Sequence, residues 1–324
     1  MLSLRECQSI INLRLNELKL PDLPSNLYEP IRYMLRLEAK RLRPSLALMG
    51  CNLYTDDFSP AIYPALAIEV FHNFTLMHDD IMDQSVMRRN FECVHVKWNQ
   101  NIAILSGDAM LIKAYELLSM CVPENLPVIL PVFNETALKV CEGQQYDMDY
   151  EQHLSVSEEE YIRMVEYKTA VLLAASLKIG ALTGGSSMQE AERLYSFGRN
   201  IGIAFQLQDD LLDVFADPTV FGKVTGNDIV SNKKTILLVE ALNQATGNTR
   251  DRLLSWLGKS EFNRLEKIKA VTSIYKELQL EQAVKDKIRH YHQLASMSLS
   301  QLQADADRKA ELLAFSNYLM QRNK

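Results

Sequence analysis

Apolar positions along the chain recur at helical rather than alternating spacing. In residues 61–83, Ala65, Ile68 and Phe71 and then Met77 and Ile81 fall on one helical face, with Pro64 tolerable in the first turn. The same period runs through 101–120 and 130–150. Residues 158–183 carry it strongly. Ser157 is placed to cap that helix, Glu158 to Glu160 suit its positive end, and Gly184–Gly185 would stop it. Another helix is expected over 189–216, stopped by Asp217–Pro218, and a loop from Pro218 to Asp228 holds Gly222 and Gly226. Helical patterns continue over 231–246, 249–257, 261–276, 279–302 and 306–322. No convincing alternating run reads as a strand, and no segment reads as a linker or a repeat. The pattern predicts an all-α fold, a single domain over 1–324 of long, mostly antiparallel helices.

Composition narrows the class. The 324 residues are 47% hydrophobic and 23% charged, ordinary for a globular protein. Only 12 glycines and 10 prolines occur, which disfavours a many-stranded, turn-rich fold. The formal charge of −6, without a basic tail, makes nucleic acid an unexpected partner. The 5 cysteines (Cys7, Cys51, Cys93, Cys121, Cys141) show no CxxC spacing and read as reduced core residues of a cytoplasmic protein. Neither a signal peptide nor an apolar stretch of membrane-spanning length is expected.

Candidate chemistry begins at LMHDDIMDQSVMRRN, which holds Asp79, Asp80 and Asp83. Residues four apart share a helix face, so Asp79 and Asp83 point one way with Asp80 beside them. Taken singly, this is more often a solvated acidic helix end. FQLQDDLLDVF repeats the spacing with Asp209, Asp210 and Asp213, again inside an apolar helix. Two such clusters are hard to obtain by chance, and carboxylates suit a hard cation that also takes phosphate oxygens. A di-iron site in a bundle would need ExxH motifs; Glu69 and His72 supply that spacing once. Basic residues accompany the clusters: Lys40, Arg41 and Arg43 before Pro44, Arg88 and Arg89 after the first cluster, and Lys223, Lys233 and Lys234 after the second. Any one of these, taken singly, reads more readily as a surface residue. Lys168, followed by Thr169, is the least ordinary, because it sits in an apolar helix.

With both clusters in place the sequence resembles the trans-isoprenyl diphosphate synthases, the polyprenyl synthetase family. The likeness rests on KRLRP at 40–44, ExxH at 69–72, HDDIMD at 78–83, RR at 88–89, GDAML at 107–111, GQQYD at 143–147, YKTA at 167–170, FQLQDDLLD at 205–213 and GK at 222–223. Residues after about 240 add little. The resemblance implies helices around a deep central cavity and a homodimer. It implies Mg2+ (about three ions, with Mn2+ as a substitute) held by Asp79, Asp83 and Asp209, supported by Asp80, Asp210 and Asp213. Arg88, Lys168, Thr169, Gln206, Lys223 and Lys233 would hold an allylic diphosphate; Lys40, Arg43, His72 and Arg89 would hold isopentenyl diphosphate. Two departures stand out. Glu38 and Ala39 replace the usual glycine pair, and Asn90 replaces the glycine after the arginines.

The reaction so implied breaks an allylic carbon–oxygen bond. Isopentenyl diphosphate attacks the carbocation, and the released diphosphate takes the proton. Product length is expected to depend on Phe74, five residues before Asp79 and about 7–8 Å along the axis, and on Phe71 one turn further. From periodicity alone both are as readily core aromatics. With the resemblance they mark a short product of fifteen or twenty carbons, and the two-residue spacer of the first cluster favours twenty. The rivals are a class I terpene cyclase, a non-catalytic subunit of a heteromeric synthase and a di-iron oxidase. The intact second cluster opposes the first two.

Overall fold

The computed structural model of the chain describes residues 1–153, 155–216 and 226–320. They fall into two compact units. The first comprises Met1–Glu135, Leu172–Tyr195 and Leu302–Leu312; the second comprises Thr136–Val171, Ser196–Gln301 and Leu313–Lys324.

In the first unit, α1 (Leu4–Asn16), α2 (Ser25–Arg36) and α3 (Leu42–Asn52) surround α4 (Ile62–Met82) and α6 (Gln100–Ser119), with the single turn α5 (Val94–Lys97) between the last two in sequence. Helix α4 is apolar over Ala65–Phe71 except at Glu69, and that whole stretch is buried. A helix hydrophobic almost all round belongs in a core. Its last turns change character: Thr75, Leu76, His78 and Asp79 are only partly covered. The helix therefore starts as core and ends at a surface that carries the first aspartate cluster. The unit also takes in the start of α7 (Leu126–Gln152).

The second unit holds the rest of α7, then α8 (Glu158–Val165), a π-helical turn (Glu166–Ala170) and the first residue of α9 (Val171–Thr183). It continues with most of α10 (Met188–Phe215), then α11 (Asn227–Val230), α12 (Ile236–Gln244), α13 (Gly247–Leu257), α14 (Arg264–Glu277) and α15 (Leu280–Ser300); α16 (Ala306–Met320) is shared. Its core gathers Tyr161, Val165, Ile203, Leu207, Ile236, Val271 and Ile274. Each such aliphatic side chain removed from water stabilises by about 1.5–3 kcal/mol.

Ser157 caps α8 as expected. Its Oγ accepts from the Glu160 N–H at 3.2 Å, and the Glu160 carboxylate accepts from the Ser157 N–H at 2.8 Å. This reciprocal capping box satisfies two otherwise orphaned donors. Two expectations need adjusting. The run 158–183 is not one regular helix, because the π turn interrupts it at Lys168 and Thr169. Two short strands do form, Met87–Arg88 (β1) and Phe91–Glu92 (β2), which are too short to show alternation in sequence. The stop at Asp217–Pro218, together with Gly222 and Lys223, lies outside the described residues.

Candidate active site

Helix α4 ends on the first cluster. Asp83 is its C-cap, donating its N–H to the Asp79 carbonyl at 2.8 Å. Carboxylates at this end of a helix face its exposed carbonyls and gain from a nearby cation. Asp80 is turned inward and 2% exposed. Burial raises its pKa, while Arg88 and the Cys93 thiol, both donating to it, pull the other way. Arg88 Nε–H reaches Asp80 Oδ1 at 2.7 Å, and its Nη2 reaches Asp79 Oδ2 at 3.2 Å.

The hairpin explains how Arg88 arrives there. β1 pairs antiparallel with β2, Arg88 opposite Phe91, and Arg89 and Asn90 form the connection with φ of 53° and 66°. Two positive-φ residues between paired strands mark a type I′ turn, whose twist suits the flanking strands. Asn90 therefore takes up left-handed backbone without a glycine. The other departure has a similar outcome: the left-handed residue before α3 is Arg41 (φ 44°), downstream of Glu38 and Ala39.

Arg43, His72 and Arg89 come together in the first unit, with Arg41 and Glu69 beneath them. Arg43 Nη1 lies 3.1 Å from His72 Nε2. Guanidinium only donates, so His72 accepts there as a neutral ring protonated on Nδ1. Burial holds the His72 pKa well below its usual value, and Arg43, Arg89, Arg88 and Arg41 add to that effect. Burial also lowers Arg43 to about 10, and it lowers Arg89. Two guanidinium nitrogens, Arg43 Nε and Arg89 Nη1, are buried with no hydrogen-bond partner among the described residues. Buried donors left unpaired are unusual, and here they belong to cations. Lys40 is exposed, and its carbonyl accepts from Gln8 at 2.6 Å.

Sequence reading gave Arg41 and Glu69 no role of their own. Arg41 is 5% exposed and donates to Glu69 at 2.6 Å, to the Leu35 and Leu37 carbonyls and to Asn12. Glu69 also accepts from Asn73 at 3.0 Å. This fully partnered pair forms the floor of the arginine pocket.

The two aromatics differ from each other. Phe71 is 1% exposed and packs on Phe133 at 5.4 Å between centroids. Phe74 is half-buried, tilted on Phe71 at 5.7 Å and edge-on to His78 at 4.8 Å.

In the second unit, Asp210 is 4% exposed and satisfied by neutral donors. Tyr161 Oη–H donates to it, as do Gln206 Nε2 at 3.0 Å and the Ile236 N–H at 3.1 Å. Burial raises its pKa, and these donors oppose the shift. Asp213 accepts from the Asp228 N–H at 3.0 Å and from the amides of Gly226 and Asn227. Asp209 lies beside them, partly exposed. Burial, reinforced by Asp213, lifts Asp228 to about 7.

Lys168 and Thr169 occupy the π turn, a feature concentrated at functional sites. Lys168 Nζ donates to Asp147 at 2.6 Å, and Thr169 donates to Gln206 at 3.3 Å. Any side chain at Gly143 would run into the backbone of Lys168, so α7 approaches the π turn closely. These residues, with Asp210 and Lys233, line one small cavity. Asp147 stood in the GQQYD motif without an assigned partner; the pairing with Lys168 is a long-range contact that spacing does not reveal.

The donors of both clusters are carboxylates alone, the choice of a hard cation. Among the described residues no three His, Cys, Asp or Glu side chains converge on a metal position by themselves. A cation here would draw further ligands from phosphate and water, as magnesium does.

A mostly helical chain with two aspartate clusters and a buried arginine pocket is matched by known proteins. Residues 24–277 match the family model described as Polyprenyl synthetase. The geranylgeranyl diphosphate synthase of Methanosarcina mazei is 39% identical over 301 residues, covering 92% of this chain and 90% of that one. A crystal structure of a geranylgeranyl pyrophosphate synthase matches with a TM-score of 0.94 and 40% identity, each chain covered to 100%. The geranylgeranyl pyrophosphate synthase of Corynebacterium glutamicum, complexed with isoprenyl diphosphate and magnesium, matches with a TM-score of 0.88 and 26% identity over 99% of this chain and 100% of that one. The chain belongs to the polyprenyl synthetase family and is a prenyltransferase of the short-chain type. The cyclase and non-catalytic readings are not favoured. Among the described residues, no helix is long and apolar enough to cross a membrane.

Proposed function

We propose that this enzyme condenses isopentenyl diphosphate with an allylic diphosphate, in the presence of Mg2+, to give a twenty-carbon all-trans prenyl diphosphate, with all 324 residues working as one catalytic domain in the cytoplasm. The carrying observation is the pair of unpartnered buried guanidinium nitrogens, Arg43 Nε and Arg89 Nη1, beside a neutral His72. A cationic pocket with spare donors suits a diphosphate, because charge-assisted bonds to phosphate oxygens are short and strong. In this reading Arg43, Arg89, His72 and Lys40 hold isopentenyl diphosphate. Arg88, Lys168, Thr169, Gln206, Lys233 and Lys223 hold the allylic diphosphate. Asp79, Asp83 and Asp209 bind about three Mg2+ ions, with Asp80, Asp210 and Asp213 in support, and Mn2+ can substitute.

Bound Mg2+ supplies Lewis-acid stabilisation of the charge that gathers on the leaving diphosphate. Lys168 adds a point charge, and Thr169 and Gln206 orient the same group. Apolar walls keep water from the carbocation. With no side chain assigned as a base, the departing diphosphate takes the proton. Phe74 blocks the growing chain and Phe71 backs it. A homodimer is supported by the apolar outer face of α6, where Leu105 is 60% and Ile112 is 70% exposed; a monomer by light scattering would refute it.

Incubation with Mg2+, isopentenyl diphosphate and, in turn, dimethylallyl, geranyl or farnesyl diphosphate tests the whole reading. Products sized after dephosphorylation should stop at twenty carbons. A fifteen-carbon or longer stop overturns the length, and no product overturns the activity.

A further inference from the structure

Helices α13 and α14 lie in the part of the chain whose sequence carried no chemistry, yet they grip the segment that supports the second aspartate cluster. Segment 226–236 supplies the backbone amides of Gly226, Asn227 and Asp228 to Asp213 and that of Ile236 to Asp210. It is held from behind at four points. Arg264 Nη2–H donates to Asn227 Oδ1. Gly226 (φ 83°) packs against Ile268, which leaves no room for a side chain there. Asn232 Nδ2–H donates to the Leu257 carbonyl at 3.0 Å. Lys267 Nζ–H donates to the Val230 carbonyl at 3.1 Å.

Lys267 is the unusual member. It is 0% exposed, and its ammonium lies 4.1 Å from the centre of the Phe262 ring. Lysine is almost never fully buried unless it is paired. Here the ammonium meets a main-chain carbonyl and an aromatic face. A helix of four residues such as α11 has little stability of its own. Its position is therefore set by the groups that hold its ends. Lys267 holds the last carbonyl, and Arg264 holds the first side chain.

We propose that Lys267 is a positioning residue of the second aspartate cluster: by anchoring the Val230 carbonyl it fixes α11 and thereby the amides that aim the Asp213 carboxylate. The proposal rests on the reading of Asp213 as a supporting metal residue. Outer partners of metal-binding groups typically change affinity or activity by about 10- to 100-fold when removed.

Lys267→Met in the full-length protein keeps the aliphatic stem and deletes the donor. Binding of Mg2+ with inorganic pyrophosphate, measured by titration calorimetry, should weaken by about tenfold or more. The Mg2+ concentration for half-maximal condensation should rise and kcat fall, while KM for isopentenyl diphosphate stays within about twofold, since the arginine pocket is untouched. Arg264→Ala, at an exposed position that risks no core cavity, should shift the same quantities in the same direction by less. A folded Lys267→Met with unchanged Mg2+–pyrophosphate binding overturns the proposal; if that variant does not fold, an unchanged Arg264→Ala does. Asp213→Asn separates the two levels. Normal metal binding there removes the metal reading and the positioning role with it, whereas a defect there beside a normal Lys267→Met removes the positioning role alone.

Discussion

The two aspartate clusters share one spacing in sequence and are stabilised in opposite ways. Each has a middle aspartate turned inward, Asp80 at 2% and Asp210 at 4% exposure. Asp80 is met by the charge of Arg88. Asp210 is met by a phenol, an amide and a backbone N–H, with no formal charge in direct contact among those bonds. A cation neutralises a carboxylate but competes with a metal for it, and it can itself bind a phosphate. Neutral donors orient a carboxylate and leave its charge in place. On the proposed reading, Arg88 at the first cluster is a cation that can turn to substrate, whereas the bonds to Asp210 hold its carboxylate in place.

The severest test is to remove an outer aspartate from either cluster. Asp79→Ala and Asp209→Ala should each lower turnover by roughly 100-fold or more with the fold intact by circular dichroism. Near-normal rates in one variant would leave that cluster without its metal role. Next, Arg88→Met strands the buried Asp80, and loss of one partner of such a pair is worth about 3–5 kcal/mol, read as a drop in unfolding free energy. Tyr161→Phe takes one of three donors from Asp210 and should cost about 1–3 kcal/mol. Equal losses would mean that charged and neutral donation do not distinguish the two clusters. Smallest in free energy, but plain in its readout, is Phe74→Ala. The matching position of the second cluster, five residues before Asp209, is Ala204, already small and fully buried. Only the first cluster has an aromatic there, so Phe74→Ala should lengthen the product by at least one five-carbon unit. An unchanged product by chromatography would remove Phe74 as the block.

Much of this was legible in sequence because it is local. The helices come from apolar periodicity, the Ser157 cap from its Glu160 partner, and the clusters from spacing on one helix face. The features that escaped depend on distant contacts. Lys168 meets Asp147 across 21 positions, and Tyr161 meets Asp210 across 49. The hairpin at 87–92 escaped because two-residue strands have no period to detect, although Arg89 and Asn90 both accept the turn's backbone. The residues beyond 240 looked mute because Lys267 and Arg264 act on main-chain and amide groups, which leave no motif. Whether Lys223 joins Lys233 lies outside the described residues.

The π turn at Glu166–Ala170 bears on how such an enzyme can evolve. The Val171 N–H reaches back five residues to the Glu166 carbonyl, one more than in a regular helix. A turn of this kind amounts to a single inserted residue. Deleting one residue there would restore ordinary α-helical pairing with α8 and α9 still nearly in line, but would remove the bulge that presents Lys168 and Thr169. Lys168 would then swing away from Asp147. The shortened protein is expected to melt no lower than its parent and to make no product, a stability gain won against function. Selection for robustness alone would favour losing that residue, and on the proposed reading the demand for catalysis opposes the loss.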